Sequence, residues 1–110
     1  MELQNHDRFN DVVDRVFVAL SAEFPLPIDI DAFSLGLAEG PAYKTVDFDE
    51  VETEYLDEHI FVARCIQWLN SAGYLSANKL HYCFTTGVVF TEKGLQLVDA
   101  APSSLHRSSY

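Results

Sequence analysis

The 110-residue sequence has few cysteines, few basic residues and no long apolar run. Its two cysteines are too few for a disulfide framework, so we expect a protein of the reducing cytoplasm. The longest unbroken apolar segment, residues 16–20, is far shorter than the ~20 residues that a membrane-spanning helix needs. The first residues also lack the basic flank and apolar stretch of a secretory signal. We therefore expect a cytoplasmic protein without membrane association.

The short motifs of common catalytic and metal sites are also missing. No phosphate-binding glycine loop, Gly-x-Ser-x-Gly elbow or His-Glu-x-x-His pair occurs. His81-x-Cys83 places two possible ligands on one face of a strand, with Cys65 as a third, but zinc sites usually carry Cys-x-x-Cys or His pairs. Thiols packed as small apolar groups explain the cysteines better. We expect no enzyme activity, metal, cofactor or small-molecule substrate.

Core-forming residues, in contrast, are plentiful. Hydrophobic residues make up 48% of the chain, including eight Phe and five Tyr, which excludes global disorder. The length fits one domain, and no internal repeat or low-complexity tract occurs. We predict a single domain over residues 1–102 and a flexible polar tail over residues 103–110.

The charge is strongly negative and unevenly distributed. Seventeen acidic residues against seven basic ones give a net charge of −10. Residues 1–58 hold 15 of the acids, and seven of these lie within residues 47–58. Such a chain repels the phosphate backbone of nucleic acids at long range, although the second half, with two acids and four bases, is locally positive.

Apolar periodicity predicts three helices in the first two thirds of the chain. The first follows Asn5 or Asp7 as a cap and ends at Phe24-Pro25-Leu26-Pro27, because proline does not fit a helix interior. A short second helix is expected after Asp29 or Asp31. Residues 38–53 then form a long acidic loop, within which Val46, Phe48 and Val51 alternate like a short strand.

The third helix has the strongest pattern. Thr53 or Asp57 can cap it, acidic residues fill its first turn, and Gly73 ends it. After Gly73 the period changes to two, and we predict a β-hairpin with its turn at Thr85-Thr86-Gly87. Thr91 then caps a short final helix that ends near Ala101-Pro102.

Two stretches resemble winged helix-turn-helix proteins. They are Ile66-Gln67-Trp68-Leu69-Asn70-Ser71-Ala72-Gly73-Tyr74-Leu75 and Val88-Val89-Phe90-Thr91-Glu92-Lys93-Gly94-Leu95. They are similar to a recognition helix ending in "WL…GYL" and to a wing strand running into "LT.KG". The resemblance implies an α+β fold, namely a three-helix core with a β-hairpin wing and a short C-terminal helix. It says little about function, because winged helices bind DNA, RNA or proteins.

The expected core combines the apolar faces of these elements. Its predicted members are Phe9, Val13, Val16, Phe17, Leu20, Phe33, Phe61, Cys65, Trp68, Leu69, Tyr74, Phe90, Leu95 and Val98.

Two features depart from an ordinary operator-binding domain. The two helices of a helix-turn-helix are usually joined by three or four residues, but here residues 38–53 intervene. The helix expected in the major groove also begins with Asp57 and Glu58, where such a helix would face bases.

We therefore favour a non-catalytic module of a bacterial or phage protein that binds a protein partner or a second copy of itself. Binding would use the acidic, aromatic segment and the exposed face of the third helix. Its residues would be Tyr43, Phe48, Glu52, Tyr55, Asp57 and Glu58. The alternative is that the acids form a solvated surface and that these aromatics cover the core.

A DNA-binding transcriptional regulator is the second hypothesis. Arg64, Gln67 and Asn70 would then contact bases, with Ser71 beside them, since Arg favours guanine and Gln or Asn favours adenine. Lys79 and Lys93, with His81, would contact phosphates from the wing. An ordinary solvated helix face would show the same pattern.

Overall fold

Residues 4–98, which the computed structural model describes, fold into three helices and six short strands, confirming the α+β class. The predicted tail and the end of the predicted domain lie outside these residues. In chain order the elements are α1 (His6–Glu23), β1 (Ile28–Ile30), β2 (Tyr43–Val46), β3 (Asp49–Glu52), α2 (Leu56–Ser71), β4 (Leu75–Ser76), β5 (Lys79–Leu80), β6 (Thr85–Phe90) and α3 (Glu92–Leu97).

The first helix forms where the apolar period places it. It buries Val12, Val16 and Leu20 and ends just before Phe24-Pro25, as expected. Asn5 occupies the position before its first residue, but the Asn5 side chain makes no capping hydrogen bond. Tertiary packing therefore stabilises this end more than a cap does.

The short second helix predicted after Asp29 or Asp31 is wrong. Residues 28–30 instead form β1, and the chain then turns through residues 32–37. The Asp31 carboxylate accepts a hydrogen bond from the Ser34 backbone amide at 2.8 Å, and Gly36 has a φ of +76°. This turn leaves the Phe33 side chain 56% exposed, so its predicted place in the core is also wrong.

The larger sheet is built around β6. Thr85 pairs with Ile30 of β1 and with Leu80 of β5, so these two strands lie on opposite edges of β6. β4 continues the β5 edge through the pair Leu75–Phe90. The predicted turn at Thr85-Thr86-Gly87 is wrong, because these residues lie inside β6 and residues 81–84 form the turn.

The core lies between α1, α2 and the inner face of this sheet. The predicted core residues Val16, Leu20, Cys65, Leu69, Phe90 and Leu95 are buried. Six further predicted core residues are partly buried and pack against them: Phe9, Val13, Phe17, Phe61, Tyr74 and Val98. Trp68 is 55% exposed, which contradicts its predicted core position, because α2 turns Val62, Ile66 and Leu69 inward instead.

The two motif segments meet at the end of α2. Gly73 ends this helix with a φ of +87°, and the Thr91 hydroxyl donates to the Gly73 carbonyl at 2.5 Å. Thr91 also caps α3 as predicted, accepting from the Gly94 amide at 3.2 Å. The Lys93 ammonium donates to the Ala72 carbonyl at 2.8 Å. This network joins the start of α3 to the end of α2.

Candidate interaction surfaces

Residues 43–52, which lie inside the predicted acidic loop, form an antiparallel hairpin. Tyr43 pairs with Glu52 and Val46 pairs with Asp49, which leaves a two-residue turn at Asp47 and Phe48. We call residues 43–52 the acidic hairpin. The long acidic loop predicted for residues 38–53 is therefore wrong. Val46, Phe48 and Val51, which were expected to alternate like one short strand, lie in β2, in the turn and in β3 instead. The acidic hairpin was not predicted because Asp-Phe is not a usual pair of turn residues.

The tip of the acidic hairpin has an unfavourable composition for a turn. Asp47 and Phe48 both have positive φ values, 51° and 71°. Such turns favour Asn-Gly, since a bulky side chain at positive φ is strained by about 1 kcal/mol. The Phe48 ring is nevertheless fully exposed. Neither folding nor packing of this chain accounts for a phenylalanine at this position.

The body of the acidic hairpin is also exposed. Val46 and Val51 leave 43% and 42% of their surface in solvent, and Tyr43 is the only one of its strand residues that is partly buried. Its carboxylates belong to Asp47, Asp49, Glu50 and Glu52. Val46 and Val51 share one face with Lys44 and Asp49, whereas Glu50 and Glu52 lie on the other face with Tyr43. Exposed apolar side chains next to charged ones are typical of a surface that binds another protein.

A small set of contacts fixes the base of the acidic hairpin. The Thr53 hydroxyl donates to the Pro41 carbonyl at 2.5 Å and accepts from the Tyr55 amide at 3.2 Å. Thr53 thus ties the loop together rather than capping α2, which begins at Leu56 after Tyr55 and has no side-chain cap. Asp57, the other predicted cap, lies in the first turn of α2.

His59 of α2 also fixes the base of the acidic hairpin. It is 1% exposed, and its Nε2 lies 2.9 Å from the Gly40 carbonyl oxygen. Because a carbonyl only accepts, Nε2 must carry the proton and donate it. Sequence reasoning missed this residue, although its place three residues before Val62, on the buried face of α2, was a usable signal.

Between the acidic hairpin and the turn at residues 81–84 lies a cleft of about 600 Å³. The rings of Tyr43 and Tyr82 meet edge to face, and their hydroxyl groups are hydrogen-bonded. His81 stacks on Phe84 with ring centroids 4.1 Å apart. The hydrogen bond to Tyr43, with burial, raises the pKa of Tyr82, so the Tyr82 phenol is neutral at physiological pH.

The structure brings together only some of the predicted partner-binding residues. Tyr43, Phe48 and Glu52 share the acidic hairpin. Tyr55 is partly buried beside Gly40, and the neighbouring Glu54 carboxylate raises the pKa of its phenol. Glu58 points elsewhere, since its carboxylate pairs with the Arg8 guanidinium at 2.9 Å on the α1 side.

A second surface lies between α1 and α2. The exposed Trp68 ring meets Phe9 edge to face at 5.6 Å, and the Arg8 guanidinium lies 3.8 Å from the centroid of Phe61. Arg64 lines the same shallow groove, of about 300 Å³. This groove contains apolar rings and cations together.

The residues of the DNA hypothesis are spread over three elements. Arg64 and Gln67 lie on the side of α2 that faces away from the core. Asn70 lies at the edge of the buried side, close to the direction of Ala63. Lys79 is exposed on β5. Lys93 is engaged at the end of α2 and lies 4.4 Å from the centroid of Tyr74. Only Arg64 and Gln67 therefore share one exposed face.

The cysteines are poorly placed for chemistry. Burial raises the pKa of the Cys65 thiol to about 11. Burial also raises the pKa of Cys83, whose Sγ lies 3.6 Å from Nδ1 of His81. Protonated thiols are weak nucleophiles and metal ligands. Within residues 4–98, no group of three or more His, Cys, Asp or Glu side chains could hold a metal ion.

Comparisons with known proteins gave no relative: a scan against protein-family models and searches of curated proteins and of solved structures found no match. In the part of the chain from residue 4 to residue 98, no helix is long and apolar enough to cross a membrane.

Proposed function

We propose that this protein is a non-catalytic module that binds a protein partner through the acidic hairpin. The observation that carries the proposal is Phe48, a fully exposed aromatic ring held at positive φ at the tip of a hairpin. A residue that is strained and unburied in the isolated chain gains its packing in a complex, where aromatic side chains dominate binding energy.

The fold belongs to the same proposal. The sheet order β1-β6-β4, the long helix α2 that leads into β4, and α3 after β6 all support a winged-helix variant. In this variant the turn at residues 32–37 takes the place of a short helix, and the acidic hairpin is inserted before α2. The inserted acidic hairpin changes the surface available for binding, because it directly precedes α2, the helix that would contact DNA in a winged-helix DNA-binding domain.

The partner's expected chemistry follows from the composition of the acidic hairpin. Val46 and Val51 share one face of the hairpin with Asp49 and Lys44, and Asp47 and Phe48 form its tip. Glu50 and Glu52 lie on the opposite face, so four carboxylates and one ammonium group accompany the exposed apolar side chains. A basic surface with an apolar pocket complements this arrangement, and the overall charge of −10 would speed its approach. A second copy of this chain is a poorer match, because two copies repel each other.

The test is a pull-down with three forms of the protein: wild type, Phe48→Ser and Val18→Ser. Val18 is a matched control, since it is 70% exposed on α1 and therefore also removes surface apolar area when changed. We expect a specific protein retained by wild type and Val18→Ser, and lost with Phe48→Ser. Purified components should then show a loss of at least about tenfold in affinity. Equal retention by all three forms would contradict the proposal.

DNA binding is the second candidate, favoured by the exposed Arg64 and the half-buried Gln67 on one face of α2. Fluorescence anisotropy of a mixed-sequence duplex at two salt concentrations tests it. If the protein binds DNA, the affinity falls with salt by a log–log slope of about −0.9 per phosphate contact. Two variants extend the test. Lys79→Ala should reduce the slope, and Arg64→Ala should remove the preference for one duplex sequence over another. Absence of binding at low salt would reject DNA binding, and protein binding through the acidic hairpin would remain as the proposed function.

A further inference from the structure

The cleft beneath the acidic hairpin combines aromatic rings with carboxylates. Tyr43 from β2 and Tyr82 and Phe84 from the turn at residues 81–84 line it. Glu50 of β3 and Asp31, next to β1, also line it. Four separated segments of the chain, including His59 of α2 at its base, therefore converge on one opening.

The charges around the cleft are of one sign. Among residues 4–98 its lining contains the carboxylates of Asp31 and Glu50, the rings of two histidines and no Lys or Arg, and the His81 ring is stacked on Phe84. His59 directs its Nε2 proton to the Gly40 carbonyl, and so does not offer that proton to the cleft. Negative potential in an opening with low-dielectric walls is focused toward its interior. A cation is therefore the favoured occupant.

The aromatic walls restrict which cation fits. Cations are attracted to the faces of Tyr and Phe rings, and the apolar stem of an organic cation gains contact area there. A strongly hydrated metal ion gains neither, and the described residues form no ligand cluster of three. The walls thus favour an organic cation, such as a guanidinium or alkylammonium group.

One carboxylate is fixed in advance. Asp31 Oδ1 accepts from the Ser34 amide at 2.8 Å, while the Ser34 hydroxyl lies 3.1 Å from the Asp31 amide nitrogen. These reciprocal bonds hold the Asp31 side chain to its own turn. The Tyr43–Tyr82 contact similarly holds the acidic hairpin against the turn at residues 81–84. The cleft is therefore pre-formed, which lowers the entropic cost of binding.

We infer that this cleft binds the guanidinium or alkylammonium group of an organic cation, in the first place an Arg or Lys side chain of the protein partner. The inference rests on the proposed function, because it names the chemistry by which the partner is recognised. Phe48 at the tip then supplies apolar contact, and the cleft supplies recognition of charge about one hairpin length away.

The first experiment titrates the labelled protein with blocked amino-acid amides and follows backbone amide shifts by NMR. N-acetyl-arginine amide and N-acetyl-lysine amide are the probes, and N-acetyl-citrulline amide, which is neutral but similar in shape to arginine, is the control. We expect saturable shifts at Tyr43 and at residues 81–84 with the cationic probes only. Equal shifts with citrulline, or no saturable shift with arginine, would overturn the inference.

Variants then separate the carboxylates. Glu50→Gln and Asp31→Asn each remove one charge from the cleft, and the amide introduced by Asp31→Asn keeps an oxygen that can accept from Ser34. Each should weaken binding of the arginine probe by about three- to tenfold. Glu23→Gln is the matched control, because Glu23 is an exposed carboxylate on α1 that does not line the cleft, and its change should leave binding unchanged. Equal loss in all three variants would indicate only a general charge effect and would count against the cleft.

The second arm distinguishes a partner's side chain from a free organic cation. A peptide with an arginine and an apolar residue about four positions apart, which in extended form spans the hairpin strand, should bind wild type more tightly than the blocked amide, and Phe48→Ser should remove that gain. If the blocked amide binds but no peptide or protein binds in a Phe48-dependent way, the cleft is a site for free organic cations and the proposed function is contradicted. Phe48-dependent protein binding without amide binding keeps the function and rejects the cleft.

Discussion

Two polar segments of this protein behave in opposite ways. Residues 72–94 contain the turn after α2 and the start of α3, and their polar groups bond to each other: Thr91 to Gly73, Lys93 to Ala72 and Gly94 to Thr91. The acidic hairpin is held at its base and by the contact of Tyr43 with Tyr82, and its tip and most of its side chains face solvent. The first segment satisfies the polar groups at the end of α2 and the start of α3, although the buried Thr85 hydroxyl has no hydrogen-bond partner among the described residues. The second segment leaves exposed apolar and charged groups that contact little else within residues 4–98.

The difference separates residues selected for folding from residues selected for contact. In residues 72–94 the two glycines at the ends of the helices have an internal cause: Gly73 has a φ of +87°, and Gly94 lies against the Tyr74 carbonyl. In the acidic hairpin the unusual choice, Phe48 at the tip, has none. Such locally inconsistent residues are expected at functional sites. Four stability measurements test this comparison.

The largest effect is expected from Gly94→Ala. A Cβ at Gly94 would overlap the Tyr74 carbonyl oxygen and crowd the Phe90 ring, and backbone atoms cannot move aside cheaply. We expect a loss of roughly 3 kcal/mol in the free energy of unfolding, measured by urea denaturation. Gln96→Ala, at an exposed site in the same helix, is the control and should change stability by less than about 0.5 kcal/mol. Two equal effects would mean that the close approach is not tight.

His59→Ala should cost about 2 kcal/mol, because it creates a cavity and leaves the buried Gly40 carbonyl without its donor. The loss should also reach the acidic hairpin, since Gly40 lies at its base. Hydrogen exchange of the Thr53 amide, which donates to the Ala42 carbonyl at 2.9 Å, should become faster. His6→Ala, at an exposed position on α1, is the control. Unchanged exchange at Thr53 would show that the base is held by other contacts.

Stability should fall between pH 9 and pH 11 because of Cys65. Burial raises its pKa from about 9 to about 11 in the folded protein, so the unfolded chain loses the proton first. Deprotonation therefore favours unfolding above pH 9, and the contribution that is complete below pH 9 is lost as pH rises toward 11. One pKa unit corresponds to about 1.4 kcal/mol, so a two-unit shift sets an upper bound of about 2.7 kcal/mol, and we expect a decline of at least about 1 kcal/mol from this group. Cys65→Ala should show a shallower decline, and an identical slope would exclude Cys65 as the cause.

The smallest effect is expected at the hairpin tip, with the opposite sign. Asp47→Asn with Phe48→Gly replaces a strained turn pair by the preferred one and should stabilise the protein by about 0.5 kcal/mol. The same double substitution should abolish partner binding, since it removes the exposed ring. Thermal unfolding and the pull-down measure the two effects together. A stability loss would mean that Phe48 packs on the chain, and would remove the contrast with residues 72–94.

Some of this was predictable from local sequence. The bounds of α1 and the end of α2 followed from proline, glycine and a period near 3.6, and Thr91 was identified as a cap. The second helix was not, because Ile28 and Ile30 suit a strand as well as a helix and only pairing with β6 decides between them. Likewise, the hairpin turn moved from residues 85–87 to residues 81–84, since Gly87 accommodates an irregular step within β6 rather than a turn.

The candidate site was predicted less completely than the fold. Tyr43, Phe48 and Glu52 do share one hairpin, but Glu58 faces α1, and His59 and the cleft-lining His81, Tyr82 and Phe84 were not expected there. A cleft assembled from segments as far apart as Asp31 and Phe84 has no sequence period that could reveal it.

The sequence by itself determined the secondary structure wherever a local physical preference was decisive: proline against a helix interior, glycine at positive φ, threonine as a cap, and acidic residues at the start of α2. The tertiary structure alone decided which apolar side chains are buried, because burial depends on what packs opposite. It placed Phe33 and Trp68 outside, His59 inside, and four distant segments around one cleft.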